Sequence, residues 1–202
     1  MIDQSTVVAF WSWFLANEAR IRLAYDAGSP KELGQLVSPG VAKLSSRLNW
    51  ELGPYALPKY AFVLAPKSRE DVAIARQVVE AAPQMAQWTI YCGKPPKDLS
   101  TLTFELDGAE VCCDDWRYRM TAYNNGEFVD LEIFFEESTA PPNGKEDVLC
   151  ELLVEALVGQ AISLERIGCI DNSEVPDVEQ VDRATPMRYL RRHLDDFLSA
   201  SH

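Results

Sequence analysis

Carboxylates are the residues in this chain best placed to do chemistry. Cys113-Asp114-Asp115-Trp116 sets two acids side by side at a strand-to-strand connection, and Asp130 and Glu132 share one face of an extended segment. Paired carboxylates can run glycoside hydrolysis or hold Mg²⁺ or Ca²⁺. Asp114, Asp115, Asp130 and Glu132 are therefore the candidate ligands of a metal-assisted hydrolase. Their spacing matches no named metal loop, and close pairs arise by chance among 31 acidic residues. The plainer expectation is solvated strand faces and turn caps, neutralised across the sheet by Arg117, Arg119 and Arg166.

Other chemistries lack their parts. The only two histidines, His193 and His202, fall in the last ten residues, which argues against a histidine zinc site or a Ser-His-Asp or Cys-His centre in the body of the fold. His193, beside Arg191, Arg192 and Asp195, reads as a solvated helix residue. The five cysteines (Cys92, Cys112, Cys113, Cys150 and Cys169) match no zinc or redox template and read as reduced thiols. Glycine is 10 of 202 residues and no phosphate-cradling glycine loop occurs, so no nucleotide site and no cofactor is expected.

The net charge of −12 repels nucleic acid and anionic membrane, and it admits a basic protein partner or plain solubility. No apolar run reaches the roughly 20 residues of a membrane span. Residues 7–16 do not read as a secretion signal, because Asp3 and no basic residue precedes them. The expected location is the cytoplasm.

These side chains must be held by an α+β fold. Residues 4–26, free of Gly and Pro, read as a helix capped by Gly28. Ser29-Pro30 opens a second helix through Leu33, Val37, Val41 and Leu44, kinked or split at Pro39-Gly40. Residues 47–52 and 60–64 read as paired strands. Ser68 to Asp71 has the spacing of a capping box for a helix stopped by Pro83, and 88–92 returns as strand. Asp107-Gly108 marks one hairpin and Asn124-Asn125-Gly126 a second, between strands 117–123 and 127–135. A polar loop from Ser138 to Gly144 leads to a helix over 146–158 ended by Gly159. A strand over 162–170, a loop with Pro176 and Pro186, and a helix over 187–198 complete the chain.

Residues 47–92 and 117–170 both read strand, strand, helix, strand. Duplicated ββαβ halves of this kind predict an antiparallel-rich mixed sheet, continuous across both halves, with helices packed on it and the N-terminal helical pair alongside. The expected organisation is one domain over 1–170 and a C-terminal extension with a helix over 171–202.

The first helix contains FWSWFLANEAR. On a helical wheel Phe10, Phe14, Ile21 and Tyr25 lie within about 60° of one another, with Trp11 and Trp13 on the flanks, an apolar arc of about 200°. Such a helix is covered on two sides, by the sheet plus the second helix or by the sheet plus a second protomer, so a homodimer stays open. Asn17 and Glu18 fall inside that arc, where an unpaired carboxylate is costly. Either Glu18 reaches Arg22 or a sheet arginine (Arg47, Arg117 or Arg119) and Asn17 bonds backbone, or the pair lines a ligand or partner pocket walled by Trp11, Trp13 and Trp50.

The segments FWSWF..NE at 10–18, LNWELGP at 48–54, AAP....W at 81–88 with Lys94-Pro95, and VDLEIFFE at 129–136 resemble a family of bacterial hypothetical proteins with no assigned activity. The resemblance covers about residues 5–170. It implies a bacterial source and an α+β domain, and carries no site. Three functions follow in order: a non-catalytic acidic binding or interaction protein, immunity- or regulator-like, that occupies a basic partner; a carboxylate-dependent metal-assisted hydrolase; and a small-molecule sensor built on the aromatic pocket.

Overall fold

With no glycine or proline between Gln4 and Asp26 to interrupt it, the first stretch is one helix, α1 (Gln4–Asp26). The computed structural model describes residues 2–54, 60–136, 139–142, 144–174 and 184–200. Ser138, Pro176 and His202, named above, lie outside the described residues. At the end of α1, Gly28 takes a φ of +62°; its N–H donates to the Tyr25 carbonyl at 2.9 Å and that of Ser29 to Ala24 at 3.0 Å. This is the double bond of a Schellman cap, open to glycine because no Cβ opposes the left-handed backbone.

Pro30 then opens α2 (Pro30–Leu44). Of the kink or split expected at Pro39-Gly40, the split does not occur: Pro39 lies inside one helix. Packing outweighs the roughly 3 kcal/mol cost of an interior proline, because Gly40 lets the Trp13 indole lie directly on the α2 backbone. A Cβ at Gly40 would come within 2.6 Å of that ring.

β1 (Leu48–Gly53) and β2 (Tyr60–Pro66) pair antiparallel, Leu48 opposite Pro66 and Gly53 opposite Ala61. α3 (Arg69–Glu80) then crosses over to β3 (Trp88–Cys92), which runs parallel to β2. The capping box is reversed in sense. The Ser68 hydroxyl donates to Asp71 at 2.8 Å instead of accepting its N–H, which bonds the Ser68 carbonyl. Arg47 closes on the other Asp71 oxygen at 3.0 Å. Asp71 is the one buried charged side chain among the described residues, and it stays so because both oxygens face partners.

The second half repeats this plan. A short hairpin of β4 (Phe104–Leu106) and β5 (Ala109–Val111) turns on Asp107 and Gly108, both at positive φ. β6 (Arg117–Tyr123) and β7 (Phe128–Phe135) pair antiparallel, and α4 (Glu146–Val158) crosses over to β8 (Ile167–Glu174), parallel to β7. The halves therefore share their strand pairing as well as their element order. The strand expected over 162–170 begins five residues late, since Gln160–Arg166 forms a short helix, α5. Leu164, Glu165 and Arg166 favour helix, and Gly159, at φ +87°, restarts one directly after α4. β9 (Thr185–Pro186) pairs with β6, and α6 (Leu190–Ala200) ends the described chain.

The two halves do not share a sheet among the described residues: β1-β2-β3 form one and β8-β7-β6-β9 another. Contacts divide the chain into two compact units, residues 1–95 and 96–202. The segment expected as an extension belongs to the second unit's core, where Met187, Leu190 and Leu194 are fully buried with Leu153 and Leu157 of α4. In the first unit α1, α2 and α3 share a core with Tyr60, Phe62 and Leu64 of β2. The outer face of α1 leaves Val8, Leu15 and Leu23 exposed.

Phe14 sits at the centre of the first core, with ring centroids 5.1 Å from both Phe62 and Trp88 and 5.5 Å from Trp11. Truncating it to alanine removes that hub and leaves a cavity. Phe14→Ala should lower unfolding free energy by about 4 kcal/mol in a urea titration. A loss under about 1 kcal/mol would mean this core collapses onto the gap far more readily than a close-packed interior does.

Candidate functional site

Glu18 is held inside the first unit. Trp88, the first residue of β3, donates its indole N–H to Glu18 Oε1 at 2.9 Å. Arg22, one turn further along α1, meets Oε1 at 2.5 Å through Nε and Oε2 at 3.2 Å through a terminal nitrogen. Arg22 reaches on to Gln87 at 3.1 Å and lies 5.9 Å over the Tyr60 ring. Burial alone would raise the Glu18 pKa. The hydrogen bonds from Trp88 and Arg22, together with the Arg22 charge, outweigh it and hold the carboxyl below its ordinary 4.5. Asn17 donates to the Trp13 carbonyl at 2.8 Å, one turn back on its own helix. Both polar residues of the aromatic arc thus bond the fold itself.

The aromatic candidates separate. Trp11 is buried and donates to the Val78 carbonyl of α3 at 2.9 Å, and Trp50 donates to Ser38 of α2 at 3.1 Å. Trp13 lines an open pocket, of about 390 Å³ between α1 and α2, with Ser5, Thr6, Ala9, Phe10, Gly40 and Lys43. Its indole N–H has no acceptor among the described residues. Lys43 escaped the sequence reading because an isolated lysine late in a helix carries no motif. Trp88 appeared there only as a strand residue. The missed signal is physical: a buried indole has a donor and no acceptor, and needs an oxygen nearby.

In the second unit the carboxylates divide. Asp130 sits where β7 and β8 lose register. Val129 faces Ile167 and Leu131 faces Ile170, so Gly168 and Cys169 oppose Asp130 alone. Its carboxylate accepts the Cys169 N–H at 2.7 Å, replacing the ladder acceptor that the bulge removes. Glu132 pairs with Arg119 on β6 at 2.9 Å, the cross-strand neutralisation expected of that face. Asp114 and Asp115 behave otherwise. They are exposed, have no partner among the described residues, and line a pocket of about 330 Å³ with Asp98, Leu99, Ser100 and Arg188. Asp98 accepts from the Ser100 N–H at 3.0 Å and its hydroxyl at 2.9 Å, which lowers its pKa. A neighbouring pocket of about 310 Å³ shares Asp98, Leu99 and Arg188 and adds Lys97, Met187 and Arg191. No three metal-ligating side chains converge among the described residues.

The remaining titratable groups are structural. His193 is half-buried rather than solvated, and shares a 2.8 Å hydrogen bond with the Tyr118 hydroxyl. Burial pushes that phenol up to about 12, with Arg192 acting against it. Cys113 and Cys150 are likewise pushed up to about 12, chiefly by burial, and stay protonated thiols of low nucleophilicity. None of the five cysteines forms a disulfide. No helix among the described residues is long and apolar enough to cross a membrane. Comparison with family models, curated proteins and solved structures gave no match.

Two outcomes test these assignments. A carboxyl whose folded pKa is depressed adds stability above its ordinary pKa and loses it as pH falls through the folded value. Glu18→Gln should therefore cost about 2 kcal/mol at pH 7, with the gap to the parent chain narrower at pH 3 in urea titrations. An equal gap at both pH values would show that the negative charge is not what Trp88 and Arg22 hold. At the bulge, the Tyr123 hydroxyl occupies the space a Gly168 side chain would need. Gly168→Ala should cost about 2 kcal/mol, and adding Tyr123→Phe should recover part of it in a double-mutant cycle. Strict additivity would place the strain elsewhere.

Proposed function

We propose that this protein is a non-catalytic, acidic binding protein that docks a basic protein partner through the second unit. The observation that carries this reading is the state of its carboxylates. Glu18, Asp71, Asp130 and Glu132 each hold a fold-building partner, whereas Asp114 and Asp115 stand exposed and unpartnered at one pocket. A lysine or arginine from a partner supplies the missing counter-charge there. Arg188 at the pocket wall fixes one end, and its repulsion orients an incoming cation toward the acids. The chain's −12 charge steers such a partner from a distance and discourages nucleic acid. Five cysteines without a disulfide fit a reducing cytoplasm.

The metal-assisted hydrolase reading draws on the same pocket, since Asp98 joins Asp114 and Asp115 there. It ranks second because Asp98 is already engaged by Ser100.

The test uses a lysine- and arginine-rich peptide titrated into the full chain by calorimetry at low and moderate salt. Asp114→Asn with Asp115→Asn should weaken binding about tenfold, near the value of one charged hydrogen bond. The control, Glu105→Gln with Glu110→Gln, removes the same charge from an exposed hairpin and should change little. Equal losses in both pairs would show net charge without a site, and no loss in either would overturn the proposal. A melting temperature raised by millimolar Mg²⁺, Mn²⁺ or Ca²⁺ in the parent chain and not in the Asp114/Asp115 variant would favour the hydrolase.

A further inference from the structure

We propose that the pocket between α1 and α2 binds a small aromatic carboxylate, at a site separate from the acidic pocket. Its shape is set by three neighbours. Phe10 and Trp13 stand 5.6 Å apart between centroids and tilted by 39°, an open aromatic corner rather than a closed stack. Gly40 brings the α2 backbone against the six-membered edge of the Trp13 indole, which fixes the ring and keeps the floor flat. Ala9 adds no bulk. At about 390 Å³ the space lies at the small end of ligand pockets, enough for one or two fused rings.

The polar lining consists mainly of donors. Lys43 has no acidic partner among the described residues, in a chain where acids outnumber bases 31 to 19. The Trp13 N–H finds no acceptor there, unlike the indoles of Trp11, Trp50, Trp88 and Trp116, which all do. Thr6 adds a hydroxyl. Ser5 is already engaged, since its hydroxyl bonds the Asp3 carboxylate. A lysine beside an apolar aromatic corner calls for a ligand with a flat ring and a single negative charge. One lysine matches a monocarboxylate; a phosphate monoester would bring a second charge with no second cation to meet it, into an acidic chain.

The experiment titrates 2-naphthoate into the full chain by saturation-transfer NMR and calorimetry, with 2-naphthalenemethanol as the neutral counterpart. The carboxylate should bind and the alcohol should bind at least about tenfold more weakly, the difference one charged hydrogen bond makes. Lys43→Gln should remove that preference, bringing the two ligands level. Ala9→Phe places a ring in the pocket from an exposed helical position and should abolish both. Circular dichroism and melting establish that each variant is folded, and Lys43, exposed at the helix surface, gives a variant that tests the charge if Ala9→Phe fails to fold. No binding of naphthoate at millimolar concentration overturns the proposal. So does equal binding of acid and alcohol by the parent chain, or binding indifferent to both substitutions.

Discussion

The first unit depends on one constraint: an indole carries a hydrogen-bond donor that must find an acceptor wherever the ring is buried. Aromatic side chains supply large apolar area, and four of them crowd α1 between Phe10 and Phe14. Each buried tryptophan then dictates a neighbour. Trp11 takes the Val78 carbonyl and so ties α1 to α3. Trp88 takes the Glu18 carboxylate and so ties β3 to α1. A glutamate on the aromatic face of a helix looks like a misplaced charge when α1 is considered alone. Beside the Trp88 indole and Arg22 it is the group that lets a tryptophan start β3 and be buried there.

The same reasoning governs the second unit with a different donor. The register slip between β7 and β8 leaves the Cys169 N–H without a strand acceptor, and Asp130 provides one. The slip itself is possible because Gly168 has no side chain to meet Tyr123. In both units a carboxylate that looked reactive in the sequence completes backbone or indole hydrogen bonding. The cost of an unmade buried hydrogen bond, about 1–3 kcal/mol, is what fixes it there.

This explains which parts of the structure were legible in the sequence. Helix and strand periodicity, Gly28, Asp107-Gly108 and Asn124-Asn125-Gly126 are local signals, and each marks the element boundary it suggests. The Glu18–Arg22 pair was legible because it lies one turn along a single helix. What escaped depends on distant partners. Pro39 stays inside α2 because Gly40 meets Trp13, twenty-seven residues earlier by the numbering of the two residues. Ile162 and Leu164 suit strand or helix equally, and Glu165, Arg166 and the restart at Gly159 decide for helix. The division into two units was hidden because the ββαβ repeat suggested one continuous sheet, and repeated order alone does not say whether edge strands join. Asp114 and Asp115 were legible as acids, but their lack of partners is a property of the fold.

A catalytic centre requires a titratable group whose environment poises it for reaction. The strongly shifted groups here, Cys113, Cys150 and Tyr118, are moved by burial toward their neutral, unreactive forms. Glu18 is shifted the other way, toward an inert ion-paired carboxylate. Asp114 and Asp115 in one unit and Lys43 in the other, without partners among the described residues, lie exposed at pocket walls. That contrast between engaged and unengaged side chains is the physical basis on which the binding proposal rests.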